Sequence, residues 1–108
     1  MLEFRETPMF TRAIVELLDD KEYAELQGTL VITPQAGDLI QGTGGLRKLR
    51  WRQATRGKGK RSGIRVIYYW HEAGTLIYML LAYSKGERDD LAQSEKRLLR
   101  RLVTEEFK

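Results

Sequence analysis

The chain has 108 residues, 42% hydrophobic and 31% charged, which suits one globular domain around one core, spanning residues 1–108. It has no cysteine, which excludes disulfides and thiolate chemistry, and no apolar run approaches the roughly 20 residues of a membrane span. Net charge is +4 but unevenly spread: residues 1–38 hold eight acids and three bases, residues 39–71 nine bases and no acid, and residues 72–108 seven of each.

The N-terminus, "MLEFRETPMF", lacks the basic start and long apolar core of a signal peptide, so the expected location is the cytoplasm. "LEFRE" reads as a short strand. "TPMFTRAIVELL" reads as a helix, with Thr7 as N-cap and Pro8 in the first turn. Phe10, Ile14, Leu17 and Leu18 share its inner face. A second helix follows at once. Asp19 and Glu22 form its capping box, Tyr23, Leu26 and Leu30 its apolar stripe, and Thr33-Pro34 its end. So short a joint predicts an antiparallel helical hairpin.

"QAGDLIQGTGG" reads as a loop. From Leu46 the period drops to two. In "LRKLRWR", Leu49 and Trp51 alternate with Lys48, Arg50 and Arg52, giving a half-buried strand with a basic face. "RGKGKRSG" is a glycine-rich loop. "IRVIYYWHE" and "TLIYMLLAYSK" are strands joined by a tight turn, apolar on both faces and so central. "SEKRLLRRLVTEEF" is an amphipathic helix with Ser94 as its expected cap. The fold class is α+β: a small antiparallel sheet, made of a three-strand meander plus the N-terminal strand. An N-terminal helical hairpin and a C-terminal helix accompany it, with the helices expected on one face.

The lone histidine, His71, leaves serine-triad and histidine-based metal chemistry without support, so neither metal nor cofactor is expected. Asp19/Asp20 and Asp89/Asp90 fall in helix-start or turn contexts, where capping explains them. "GTGG" and "GKGKRSG" match no phosphate-loop pattern. Cations remain. Lys48, Arg50 and Arg52 share a strand face. Arg65 lies on a central strand with Ile67 and Tyr69, where it needs an anion: either a carboxylate from the N-terminal helices or a phosphate. Tyr83 and Lys85 are two apart at a strand end and share a face. Tyr83 there would stack on a base, donate a hydrogen bond or close the core. The basic run of the last helix reads as a solvated face.

A cluster of this kind suits cleavage of RNA without a metal. The substrate's 2′-OH is the nucleophile. Arginine stabilises charge on the phosphoryl oxygens, and lysines crowded by other cations transfer protons. Aromatic side chains beside the cations would hold splayed bases.

Three segments, "DLIQGTGGLRKLRW", "GKGKRSGIRVIYYW" and "LLAYSKGERDDL", make the chain resemble the RelE/ParE superfamily of type II toxins, specifically its HigB-like branch. The resemblance implies a RelE-like toxin domain and ribosome-dependent, metal-independent cleavage of mRNA. It implies as partners the ribosome with bound mRNA and a cognate helix-turn-helix antitoxin, so that DNA is met only through the antitoxin. Carried over by motif, Arg65, Lys48, Lys58 and Lys85 are expected catalytic residues, and Tyr83 joins them if it takes over a base-stacking role; otherwise the mechanism leans wholly on lysine and arginine. Arg50, Lys60, Arg61, Arg47 and Arg56 are the expected RNA-binding ones. The C-terminal tyrosine of RelE has no counterpart in "ERDDLA". Two other functions fit the same cations: a ParE-like inhibitor of DNA gyrase that acts by protein contacts, or a plain nucleic-acid-binding module.

Overall fold

The computed structural model describes residues 2–52, 63–71, 73, 75–88 and 90–107. Strand β1 (Glu3–Glu6) leads into helices α1 (Pro8–Leu17) and α2 (Asp20–Ile32). Strands β2 (Asp38–Leu39), β3 (Leu46–Trp51), β4 (Ile64–His71) and β5 (Leu76–Ser84) follow, then helix α3 (Gln93–Glu106). The five strands form one sheet in the order β1-β5-β4-β3-β2. Strands β3, β4 and β5 are the expected antiparallel meander, and β1 joins the far edge parallel to β5. The fold is α+β, as the sequence reading had it.

The helix starts follow from their caps. Thr7 Oγ1 accepts from the Phe10 N–H at 3.0 Å, and Pro8 sits where the helix has no use for its missing donor. At α2 the Glu22 N–H donates to Asp19 Oδ1 at 2.8 Å and the Asp19 N–H to Glu22 Oε1 at 3.3 Å. Helix α3 differs from expectation. It begins at Gln93 behind Ala92, not behind Ser94, and Glu95 Oε1 accepts from the Ala92 N–H at 2.9 Å. Only the reciprocal half of a capping box is thus made, because an alanine side chain has no acceptor for the N–H groups of the first turn.

Two further differences bear on the candidate site. The segment read as a loop before Leu46 contains β2, whose Asp38 and Leu39 pair with Lys48 and Arg47. Two residues are too few to leave a periodic trace. The turn to β3 places Gly42, Gly44 and Gly45 at positive φ, where a side chain would be strained. Second, the helices do not share one face. Phe10, Ile14, Leu26 and Leu30 from α1 and α2 meet Leu49, Val66, Tyr68, Ile77 and Met79 on one side. Leu99 and Val103 from α3 meet Leu46, Ile67, Leu80 and Tyr83 on the other. Strands apolar on both faces demand two layers of cover.

Strand β5 carries one extra residue. Ile67 pairs with Leu81 and Tyr68 with Met79, so Leu80 has no partner on β4. Its carbonyl accepts instead from the Thr7 hydroxyl at 2.8 Å, and the Thr7 N–H donates to the Met79 carbonyl at 3.0 Å. The residue that caps α1 thus also holds the bulge. Leu80 and Leu81 both pack on the α3 side, and alternation then resumes with Ala82 toward α1 and α2.

The α2–β2 connection is fastened from the sheet. The buried Tyr68 hydroxyl donates to the Pro34 carbonyl at 2.7 Å and accepts from the Gly37 N–H at 2.9 Å. A Cβ on Gly37 would lie 2.9 Å from the Tyr68 ring and 3.0 Å from the Lys48 carbonyl. Gly37→Ala is therefore expected to destabilise by about 1–3 kcal/mol, because a backbone must yield. Urea unfolding followed by circular dichroism measures it, and an unchanged midpoint would contradict this contact.

Candidate nucleic-acid interface

Register brings three of the expected residues into one row. Arg50 on β3 stands opposite Arg65 on β4, and Arg65 opposite Tyr83 on β5. Directly opposed residues project to the same side of a sheet, here the α3 side. Tyr83 reaches that side because of the bulge. Ile77 and Met79, of the same odd numbering, point the other way. The row grades from solvent to core: Arg50 is exposed, Arg65 half-buried and Tyr83 only 2% exposed.

Lys48 and Lys85 flank the row. Lys48 is two residues from Arg50 on the same face, and its side chain is largely covered, at 14% exposure. Lys85 follows β5, is exposed, and donates its backbone N–H to the Gly63 carbonyl at 2.7 Å. A Cβ placed on Gly63 would come within 2.8 Å of Arg65 Nη1 and 3.4 Å of Lys85 Cβ. The glycine two residues before Arg65 therefore leaves the room in which the guanidinium lies back toward Lys85. Among the described residues Arg65 makes no ion pair with a carboxylate, so the expected alternative of an acid from the N-terminal helices is not observed there.

Arg47 does not join this group. It faces the helical hairpin, where Nη1 donates to the Gly37 carbonyl at 2.8 Å and to the Gln35 carbonyl at 3.3 Å. Its neighbours in sequence alternate away from it, so a contiguous basic run divides between two faces. Arg56, Lys58, Lys60 and Arg61 lie outside the described residues.

Tyr83 is placed differently from a base-stacking platform. Its ring is part of the α3-side core, and the Arg88 guanidinium carbon lies 4.6 Å from the ring centre. Arg88 Nη1 donates to Glu95 Oε2 at 2.6 Å, which fixes the guanidinium over the ring and holds the Glu95 carboxyl below its usual range. Burial, reinforced by the Asp90 carboxylate, pushes the Tyr83 phenol upward, so it is a neutral donor near neutral pH and not a base. Among the described residues, that hydroxyl and Arg88 Nε are both buried without a hydrogen-bond partner. An unmade bond of this kind costs about 1–3 kcal/mol. Tyr83→Phe is accordingly expected to keep or raise the melting temperature. A clear drop in a thermal melt would mean that the hydroxyl has an acceptor.

The sequence reading did not single out Arg88, Asp38 or Glu95, and it explained Asp90 as a turn residue. Asp38 Oδ2 lies 2.8 Å from Arg50 Nη1, and Asp90 Oδ1 lies 3.3 Å from Lys48 Nζ. Backbone hydrogen bonding from Leu91, together with Lys48, holds the Asp90 carboxyl below its ordinary value. These contacts join segments 12 and 42 residues apart, and no local spacing announces them.

The arrangement is thus a sheet face with Arg50, Arg65, Lys48 and Lys85 around a buried tyrosine, flanked by exposed acids. Among the described residues no helix is long and apolar enough to cross a membrane. No protein-family model matches the sequence. The fold is similar to that of the Escherichia coli toxin RelE, solved in the free state as a double arginine-to-alanine mutant, with a TM-score of 0.50 and 16% identity over 75% of this chain and 80% of that one. This chain therefore has a RelE-like α+β fold.

Proposed function

We propose that the chain is an mRNA-cleaving toxin of the HigB-like branch, one that acts in the ribosomal decoding site and is neutralised by a cognate antitoxin. The observation that carries this reading is the cross-strand row of Arg50, Arg65 and Tyr83, with Lys48 and Lys85 beside it. The RelE-like fold supports it further. Arg65 lies across the scissile phosphate and stabilises the charge that develops on its oxygens. Lys48 and Lys85 stand on either side of Arg65 as proton-transfer groups, with Lys58 a third. Arg50, Arg56, Lys60 and Arg61 hold the ribose-phosphate backbone. Tyr83 forms the floor beneath Arg65, and Arg47 serves the fold.

The chemistry needs nothing beyond these groups. The 2′-oxygen forms a bond to phosphorus as its proton passes to a base. The bond to the 5′-oxygen breaks, and that oxygen takes a proton from an acid. The products are a 2′,3′-cyclic phosphate and a free 5′-hydroxyl.

Programmed ribosomes incubated with the chain and mRNA test the reading. The expected result is cuts at defined positions, with cyclic-phosphate ends, abolished by a 2′-O-methyl group at the cut site. Intact mRNA together with arrested gyrase supercoiling would favour the ParE-like reading. Salt-sensitive RNA binding without cleavage or growth arrest would favour the plain binding module.

A further inference from the structure

Both cations that β3 offers to the candidate interface already have partners. Lys48 meets Asp90, and Arg50 meets Asp38. The acids come from opposite flanks, Asp38 from β2 and Asp90 from the segment between β5 and α3. Their own side chains are 75% and 61% exposed, so both pairs are open to water and to exchange. Asp90 is not loosely placed. Its Oδ1 accepts from the Leu91 N–H at 2.9 Å, and the Leu91 side chain is buried in the α3-side core. Lys48 is mostly covered and its ammonium is paired with Asp90, so a phosphate that takes the Asp90 position displaces the carboxylate.

We propose that Asp38 and Asp90 are specificity-determining residues that occupy Arg50 and Lys48 in place of substrate phosphates. This rests on the RNA-cleaving reading of the same face. Exchanging a carboxylate for a phosphodiester gains little, since each cation keeps one anionic partner throughout. The released carboxylate also takes up a cation from solution. A short free RNA, making few contacts, is held weakly. RNA presented on a large surface with many simultaneous contacts displaces both acids, because its local concentration is high. The acids thus favour presented RNA over free RNA.

The test is binding of a fluorescein-labelled single-stranded RNA by the full chain, measured by anisotropy across a salt series. Asp38→Asn and Asp90→Asn are each expected to tighten binding at low salt by about two- to fivefold, with a steeper salt dependence. The double variant should tighten it further, while Asp38→Glu and Asp90→Glu stay near the parent. Thermal melts check that each variant folds. Unchanged or weaker binding by folded asparagine variants, with the parent still cutting ribosome-bound mRNA, would overturn this inference alone. If neither parent nor variants bind RNA or cut it on ribosomes, the nuclease reading falls and the inference with it.

Discussion

Under the proposed function, Arg65→Ala is expected to lower ribosome-dependent cleavage by about 10²–10³-fold, the usual loss when one preorganised donor to a developing oxyanion is removed. Growth arrest on expression should vanish with it. The fold should survive. Arg65 is half-buried at the edge of the α3-side layer and makes no carboxylate pair among the described residues, so stability should change by about 1 kcal/mol or less. Arg65→Lys sharpens the result. It restores the charge but not the planar pair of donors, and should recover only part of the activity. The decisive comparison is cleavage against melting temperature. An alanine variant that melts far below the parent would mean that Arg65 is a structural cation and not a phosphate clamp.

Phe10→Ala should also abolish the proposed activity, by the opposite route. Phe10 is fully buried where α1, α2 and the sheet meet, and its ring centre lies 5.9 Å from that of Tyr23. Truncating such a side chain costs about 3–5 kcal/mol through lost burial and the cavity left behind. For a domain of this size that corresponds to a fall in melting temperature of roughly 12–40 °C. A thermal melt measures it directly, and a fall of only a few degrees would mean that the hairpin is not essential to the core. Side by side, the two variants separate loss of chemistry from loss of fold.

Much of the architecture was legible because it is local. Thr7-Pro8 and Asp19 with Glu22 announce helix starts through bonds to their own first turns. The strands from Leu46, Ile64 and Leu76 announce themselves by period and β-branching. The face of a central strand is legible too, so Arg65 and Ile67 were correctly grouped. Partners distant in sequence were not. Nothing near Lys48 or Arg50 points to Asp90 or Asp38, and nothing in "LRKLR" says that Arg47 will be drawn to the Gly37 carbonyl. The side of the sheet that Tyr83 and Lys85 share was hidden for another reason. "MLLA" is apolar at every position, so the step in register at Leu80 leaves no break in any pattern.

That step makes β5 a counting device. Upstream of Leu80, odd-numbered side chains look toward α1 and α2; downstream they look toward α3. A variant lacking only Leu80 would join Met79 directly to Leu81, remove the bulge and leave every later side chain on its present side. Tyr83 would still meet the α3 layer opposite Arg65, and the loss would fall on Leu80's own contacts: its place in that core and its carbonyl's bond to the Thr7 hydroxyl. Strict alternation counted from Ile77 would put Tyr83 with the hairpin, so the surface that this ribbon's last turn presents is assigned correctly only when the extra residue is skipped.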